Sequence, residues 1–271
     1  MKATVLTDNN AFGELRSEWG LAVYIEYRDK KILLDTGAST LYIENAAKLG
    51  IDLSNVDLAV LSHAHYDHAN GIPAFLDINK KAPFYISSAC RENCYGDKGE
   101  TDFDYIGIPK GTLNDYSDRL IKLFGKNRIS DGITLLTHST QGLDKIGERE
   151  KLYVKTEGCY APDDFAHEQS LIFDTDDGLV VFNSCCHAGA ATVINEVKEA
   201  FHGQRILSLI GGFHLYNRTE DEVRYFAADI KATGVKSIYT GHCTGPAAYE
   251  VLSAELGTIV NPLHCGLVMS W

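Results

Sequence analysis

The sequence predicts an α/β fold in which two stacked β-sheets carry helices on their outer faces. Three observations predict it. Short β-rich runs open each half of the chain, and β and α runs alternate in the later part of each half. In addition, 45% of the 271 residues are apolar, enough for a large core that needs neither disulfide nor metal to hold it.

The first half begins with three strand candidates, KATVLTD (2–8), LAVYIEY (21–27) and KILLD (31–35), with Arg28-Asp29-Lys30-Lys31 as a polar hairpin turn. Gly37 ends the third, Ser39 caps a helix running to about Leu49, and Gly50 closes it. VDLAVLS (56–62) is a nearly unbroken apolar run, the pattern of a strand buried on both faces. A helix over Gly71–Ile78 and a strand over APFYIS follow. From 90 to about 130 the chain is polar, turn-rich and aromatic without a clear period, and it reads as a lid or insertion on a single domain spanning 1–271. The second half offers strands at ITLLTH, KLYVKT, QSLIFDT and GLVVFNS. A helix over Ala190–Phe201, a strand RILSLIGG, a helix over Thr219–Thr233, a strand KSIYTG and a helix from Pro246 complete it.

Composition excludes several functions. With 25 basic and 37 acidic residues the net charge is −12, which repels phosphate backbones, and no basic run overrides it. Nucleic acid is not an expected partner. The N-terminus has neither signal-peptide nor transmembrane character, so the chain is expected in the cytoplasm and away from membranes. Seven cysteines without a secreted-framework spacing fit reduced thiols. A small-molecule substrate is the expected partner, with homo-oligomer formation left open.

The strongest chemical signal is SHAHYDHANG (62–71), where the strand VDLAVLS ends. His63 and His65 are two apart and can project to one side of a strand terminus. Asp67 and His68 follow from the turn and the first residues of a helix. Four such groups within six residues suit a two-metal site, and imidazole with carboxylate suits Zn²⁺, Fe²⁺ or Mn²⁺.

HAHYDH matches the H-x-H-x-D-H signature of the metallo-β-lactamase superfamily, and LLDTGAS resembles its Asp-containing turn, with Asp35 supporting the site from behind. VVFNSCCHAG, IGGFHL and TGHCTG resemble a subgroup commonly called 7,8-dihydropterin-6-methyl-4-(β-D-ribofuranosyl)aminobenzene-5′-phosphate synthase-like proteins. The resemblance implies an αββα four-layer sandwich of two mixed sheets. It also implies a metal centre at one edge of the sheets.

More ligands must come from the second half. His187 and Cys185 follow GLVVFNS, and Cys185 stands where the superfamily often has a metal-bridging Asp. His242 in GHCTG resembles the superfamily's last metal-binding His. His167 precedes a strand about where the third motif usually places a ligand. The expected centre holds two divalent ions, zinc before iron or manganese. His63 and His65, with His187 or His167, bind the first; Asp67, His68 and His242 bind the second, and Cys185 touches both. Asp67 and His242 are also the expected catalytic residues, Asp67 by orienting the nucleophile or shuttling a proton. His214, Gly212 and Tyr105 are candidate substrate contacts. Tyr95, Phe103, Tyr105 and Tyr116 are a candidate wall for a planar ring, and His138, His202 and His264 read as incidental.

Two bridged divalent ions lower the pKa of a shared water to about 7, so the expected activity is hydrolysis of a small anionic phosphoester, ester or lactone. The alternatives are a synthase or transferase in pterin assembly and a non-catalytic metabolite sensor. Di-iron redox chemistry is disfavoured, because the flavodiiron relatives usually carry Glu at the position of His65 and an extra flavin domain.

Overall fold

The computed structural model describes residues 1–99 and 102–271; Glu100 and Thr101, inside the 90–130 segment, lie outside the described residues. In chain order the first half contains β1 (Lys2–Thr7), β2 (Ala22–Tyr27), β3 (Lys30–Leu34), α1 (Leu41–Lys48), β4 (Leu58–Val60), α2 (Tyr66–Ala69), α3 (Ile72–Ile78) and β5 (Phe84–Ser87). The middle contains β6 (Cys94–Gly99), β7 (Asp102–Tyr105), α4 (Thr112–Asp115), β8 (Leu120–Leu123), β9 (Lys126–Ser130), β10 (Ile133–Thr137), α5 (Asp144–Glu150), β11 (Leu152–Thr156) and β12 (Cys159–Pro162). The remainder contains β13 (Gln169–Thr175), β14 (Gly178–Phe182), α6 (Ala190–Ala200), β15 (Ile206–Ile210), α7 (Glu220–Thr233), β16 (Ser237–Thr240), α8 (Pro246–Leu256), β17 (Val260–Pro262) and β18 (Val268–Ser270).

Two seven-stranded sheets result, ordered β18-β1-β2-β3-β4-β5-β8 and β17-β16-β15-β14-β13-β10-β9. Each is mixed. Strands β3, β4, β5 and β8 run parallel in the first sheet, and β14 to β17 in the second, while the remaining pairs are antiparallel.

The period-two alternation of β2 shows how the layers form. Val23, Ile25 and Tyr27 enter the core between the sheets, whereas Ala22 and Tyr24 enter the core beneath α1 and α3. In β14, Val180 and Phe182 face the other sheet, and Leu179 and Val181 face α6, α7 and α8. Both faces of both sheets are therefore covered, which explains the long apolar runs. The αββα sandwich expected from the sequence is the observed architecture.

Local signals act mostly as expected. The β2–β3 hairpin turns through Arg28-Asp29, with Tyr27 opposite Lys30. Ser39 stands one residue before the helix's N-cap, yet its hydroxyl accepts the Leu41 N–H at 3.1 Å and so still satisfies an orphan donor. Thr219 and Glu222 form a reciprocal capping box that starts α7.

The segment expected as one lid or insertion at about 90–130 is divided three ways. β6 and β7 form a small third sheet, ordered β12-β11-β6-β7, with strands that lie about fifty residues further along. β8 and β9 are instead edge strands of the two large sheets. Edge strands carry polar residues because one side meets solvent, which hid them. KLYVKT, read as one more strand of the main sheets, becomes β11 and pairs with β6. Among the described residues no helix is long and apolar enough to cross a membrane.

Candidate metal centre

The predicted site residues converge at the C-terminal ends of β3, β4, β14 and β16, where parallel strands from both sheets deliver their loops to one edge of the sandwich. The sheets are tied together there. The Gln169 N–H donates to the Ser62 carbonyl at 2.8 Å, and the Gln169 side-chain amide donates to the Leu61 carbonyl at 2.8 Å.

Asp35, fully buried after β3, organises the first half of the site. Its carboxylate accepts from Ser62 N (2.7 Å), Ser62 Oγ (2.7 Å), Ser184 Oγ (2.6 Å) and His68 Nδ1 (2.8 Å). A carboxylate only accepts, so His68 carries its proton on Nδ1 and its Nε2 presents a lone pair. The Ser62 hydroxyl gives its hydrogen to Asp35 and so accepts from His63 Nδ1 at 2.8 Å. That leaves His63 Nε2 bare as well. One carboxylate thus sets the tautomers of two histidines.

His242 is set from the opposite side. The Asn9 amide donates to the His242 carbonyl (3.1 Å) and accepts from Gly20 N (3.3 Å), which fixes its orientation. Its Oδ1 therefore accepts from His242 Nδ1 at 3.0 Å. Asp8, just past β1, accepts the His242 N–H at 2.9 Å and holds that residue at φ 45°. His214 and Cys186 are also at positive φ, 51° and 47°. Such conformations persist in a non-glycine residue where surrounding structure enforces them.

The consequence is a conflict that a cation resolves. His68 Nε2 and His242 Nε2 face each other at 3.1 Å, each a lone pair by the assignments above. Asp67 Oδ2 lies 3.5 Å from His242 Nε2 and 3.8 Å from His68 Nε2. Asp67, His68 and His242 form one compact donor group, and His63, His65 and His187 form a second, with ligand atoms within 4.8 Å of one another. His187 Nε2 is 3.3 Å from His63 Nε2, and Phe165 stacks on the His187 ring at 4.8 Å. Cys185 Sγ lies 3.3 Å from His68 Nε2 and groups with His63 and His68, and also with His242 and Cys243. All of these donors are buried. A buried set of bare imidazoles with one carboxylate and one thiol fits borderline divalent ions of the zinc and iron type.

Electrostatics agree with that fit. Burial, reinforced by the neighbouring imidazoles, holds His63 and His187 well below the ordinary histidine pKa and pushes His65 down to about 3. Burial opposes the ionised form of Asp67, yet His68 and His242 outweigh it and keep the carboxyl well below its usual range. His242 is raised to about 9, because Cys243, Asp67 and Asp8 overcome its burial; it is the ring that takes a proton when no cation is present.

Several predicted residues fall elsewhere. His167 does not join the donor group of His63, His65 and His187. Phe165, at φ 52°, turns the chain so that His167 Nδ1 accepts the Ala64 N–H (3.2 Å) and Nε2 donates to Asp163 (2.9 Å). It braces the backbone between His63 and His65 from behind, in a group with Asp163, Cys94 and His65. Between His187 and His167, the structure thus brings His187 to the His63–His65 group. His65 Nε2, buried without a hydrogen-bond partner among the described residues, lies 4.0 Å from Asp163.

Gly212 packs against Cys243. A side chain there would meet Cys243 Sγ at 2.4 Å, so its bareness makes room for that thiol. Tyr105 points away from the cleft: its hydroxyl donates to the Ile108 carbonyl and Lys110 covers its ring at 4.0 Å. Tyr95 and Phe103 pack with Tyr105, Tyr153 and Tyr160 inside the small sheet, and Tyr116 packs on the core beneath the first sheet's helices. His214 does face the cleft, with Nδ1 directed at Glu150 (3.2 Å) and its ring 4.7 Å from His187.

Sequence reasoning missed four supports. Cys243 Sγ lies 3.5 Å from Cys185 Sγ; burial opposes its thiolate, but Cys185, His242 and His214 draw its pKa down to about 6. Asp8 and Asn9 have no local sequence signal. His138, read as incidental, sits between Glu168 (2.5 Å) and Glu196 (2.7 Å), and Glu168 in turn accepts the His187 N–H (3.0 Å). The cleft over the donor groups has a volume of about 330 Å³, with His65, Asp67, Cys185, His187, His214 and Lys151 on its walls.

The fold and the donor set define a class. The chain has the metallo-β-lactamase fold, and the model of the metallo-β-lactamase superfamily matches residues 20–153, a span that includes the H-x-H-x-D-H loop. The chain is 27% identical to the 7,8-dihydropterin-6-methyl-4-(β-D-ribofuranosyl)-aminobenzene-5′-phosphate synthase of Methanocaldococcus jannaschii, over 94% of this chain and 90% of that one. It is similar over 100% of its length to 99% of Tm1679, described as a metal-dependent hydrolase of the β-lactamase superfamily, with a TM-score of 0.83 and 27% identity. YhfI from Bacillus subtilis, a metallo-β-lactamase fold protein, shares the fold with a TM-score of 0.57 at 14% identity, over 99% of this chain and 98% of that one.

Proposed function

We propose that this protein is a metal-dependent enzyme that hydrolyses a small anionic substrate, a phosphoester, ester or lactone. The observation that carries the reading is the pair of buried histidines whose Nε2 atoms face each other at 3.1 Å beside Asp67 and Cys185. His63, His65 and His187 would hold one divalent ion, and Asp67, His68 and His242 a second, with Cys185 between them. Ions bound there supply Lewis acidity and a nucleophilic water at neutral pH.

The chain's own groups divide the remaining work. Asp67 is ionised and borders the cleft, so it can orient the attacking water and take its proton. His214, with Nδ1 committed to Glu150, presents Nε2 to the cleft and can serve the leaving group. Lys151 gives the cleft a cationic group for an incoming anion, beside Asp97 and Glu150 on the same lining.

A second reading, condensation in pterin assembly, is favoured by the similarity to the archaeal synthase over nearly the whole chain. The two are separated by product analysis on metal-loaded protein. Mass spectrometry after incubation with a dihydropterin-6-methyl diphosphate and an aminobenzene ribosyl phosphate would show a joined product under the second reading. Under the first, only hydrolysis products form, and model phosphodiesters or lactones turn over as well. Fully metal-loaded protein that does neither would contradict both.

A further inference from the structure

We infer that Cys243 is itself a metal ligand, joining Cys185 and His242 in a thiolate-rich set that holds the second ion. The inference rests on the reading of the cleft as a metal centre and adds a donor which that reading lacks.

The cysteines divide by what their sulfurs touch. Cys90, Cys94 and Cys186 belong to the apolar cores, and Cys265 spends its sulfur on the backbone of Asp8 and Arg16. Cys159 is exposed. Cys185 and Cys243 remain. Both are buried, neither belongs to an apolar core among the described residues, and both border the metal cleft.

Their sulfurs lie 3.5 Å apart. Two thiolates on one tetrahedral zinc, each about 2.3 Å from the ion, stand about 3.8 Å apart, so the pair needs little movement to close on an ion. Cys243 Sγ, Cys185 Sγ and a ring nitrogen of His242 lie within 4.8 Å of one another. Cys185 Sγ is in turn 3.3 Å from His68 Nε2, so the thiol pair continues the donor group of Asp67, His68 and His242.

The loop that follows β15 is built around the Cys243 sulfur. The His214 N–H donates to Cys243 Sγ at 3.3 Å, and the Phe213 N–H donates to Thr244 Oγ1 at 3.0 Å. The Leu215 and Tyr216 N–H groups donate to the Cys243 carbonyl at 3.0 and 3.2 Å, and the Gly212 N–H donates to the Ser184 carbonyl, next to Cys185, at 2.8 Å. A sulfur placed to accept a backbone N–H accepts best as a thiolate. Gly212 is not at positive φ, so backbone conformation does not require glycine there. What its missing side chain provides is the space that Cys243 Sγ occupies, 2.4 Å from where a Cβ would stand.

Two sulfur donors narrow the choice of metal. Soft thiolates favour zinc, whereas manganese prefers oxygen ligands, and a coordinating thiol is deprotonated.

The test is cobalt(II) titration of the whole protein after chelator stripping. It is read by the near-ultraviolet thiolate-to-cobalt charge-transfer band, whose intensity follows the number of Co–S bonds. Cys243→Ser should lose about a third of that band if Cys185 bridges both ions, or about half if Cys185 binds one. Cys159→Ser, at an exposed thiol, should keep the whole band. Cadmium-loaded wild-type protein gives the same count should the Cys243 variant fail to fold: a proton–cadmium correlation spectrum should show the β-protons of two cysteines coupled to one cadmium. A full-strength band in Cys243→Ser, or no more than one cysteine on each cadmium, overturns the inference and leaves the metal centre standing. Wild-type protein that binds neither cobalt nor cadmium overturns both together.

Discussion

Asp35 carries more of the site than any single ligand, because it fixes which nitrogen of His68 and, through Ser62, of His63 is bare. In Asp35→Asn the amide would donate where the carboxylate accepts, so His68 would shift its proton to Nε2 and lose its lone pair toward the cluster. Metal affinity should fall about 10–100-fold, the usual effect of removing an outer partner, as read by competition with a chelator. Unchanged affinity would show that the tautomers are not set this way. The donor group of SHAHYDH was legible because its members lie within six residues and need only one strand end to place them. His167 is set apart from His63 because the positive φ of Phe165, invisible in the sequence, swings it behind Ala64 into a group with His65, Cys94 and Asp163. Cys243, Asp8 and Asn9 are brought in by pairing across more than fifty residues.

At the scale of elements, the loop between β14 and α6 that carries Cys185 and His187 is anchored by a buried ion cluster. Burial alone would lower His138, but Glu168 and Glu196 raise it to about 9. Its folded value lies above the unfolded one near 6.5, so the stabilisation is complete below pH 6.5 and is lost as pH rises toward 9. It amounts to roughly 3 kcal/mol. Urea unfolding should therefore show the gap between wild type and His138→Gln shrinking by about that amount from pH 6 to 9.5. A pH-independent gap would contradict the account. Elements with one period and two covered faces, such as β2, β4 and β14, were readable from the sequence. β6, β7 and β12 were not, and β11 was readable as a strand but not in its place, because their small sheet buries little of either face and draws strands from two distant segments.

The whole molecule is two mixed sheets, each turning parallel toward one edge, so that β3, β4, β14 and β16 all end at the same place. That architecture was legible from the alternation of strands and helices and from the histidine motif at a strand end. The completion of the site by both halves was legible only as competing candidates. The metal cleft shares the acidic character of the surface, with Asp67, Asp97 and Glu150 on its walls beside Lys151. The central claim is that both halves together hold two ions, and elemental analysis of protein reconstituted with zinc, iron or manganese tests it most directly. The account predicts about two equivalents per chain, falling to about one in His187→Ala, which removes a donor from one group only. Less than about a tenth of an equivalent after reconstitution, or an unchanged content in His187→Ala, would contradict it.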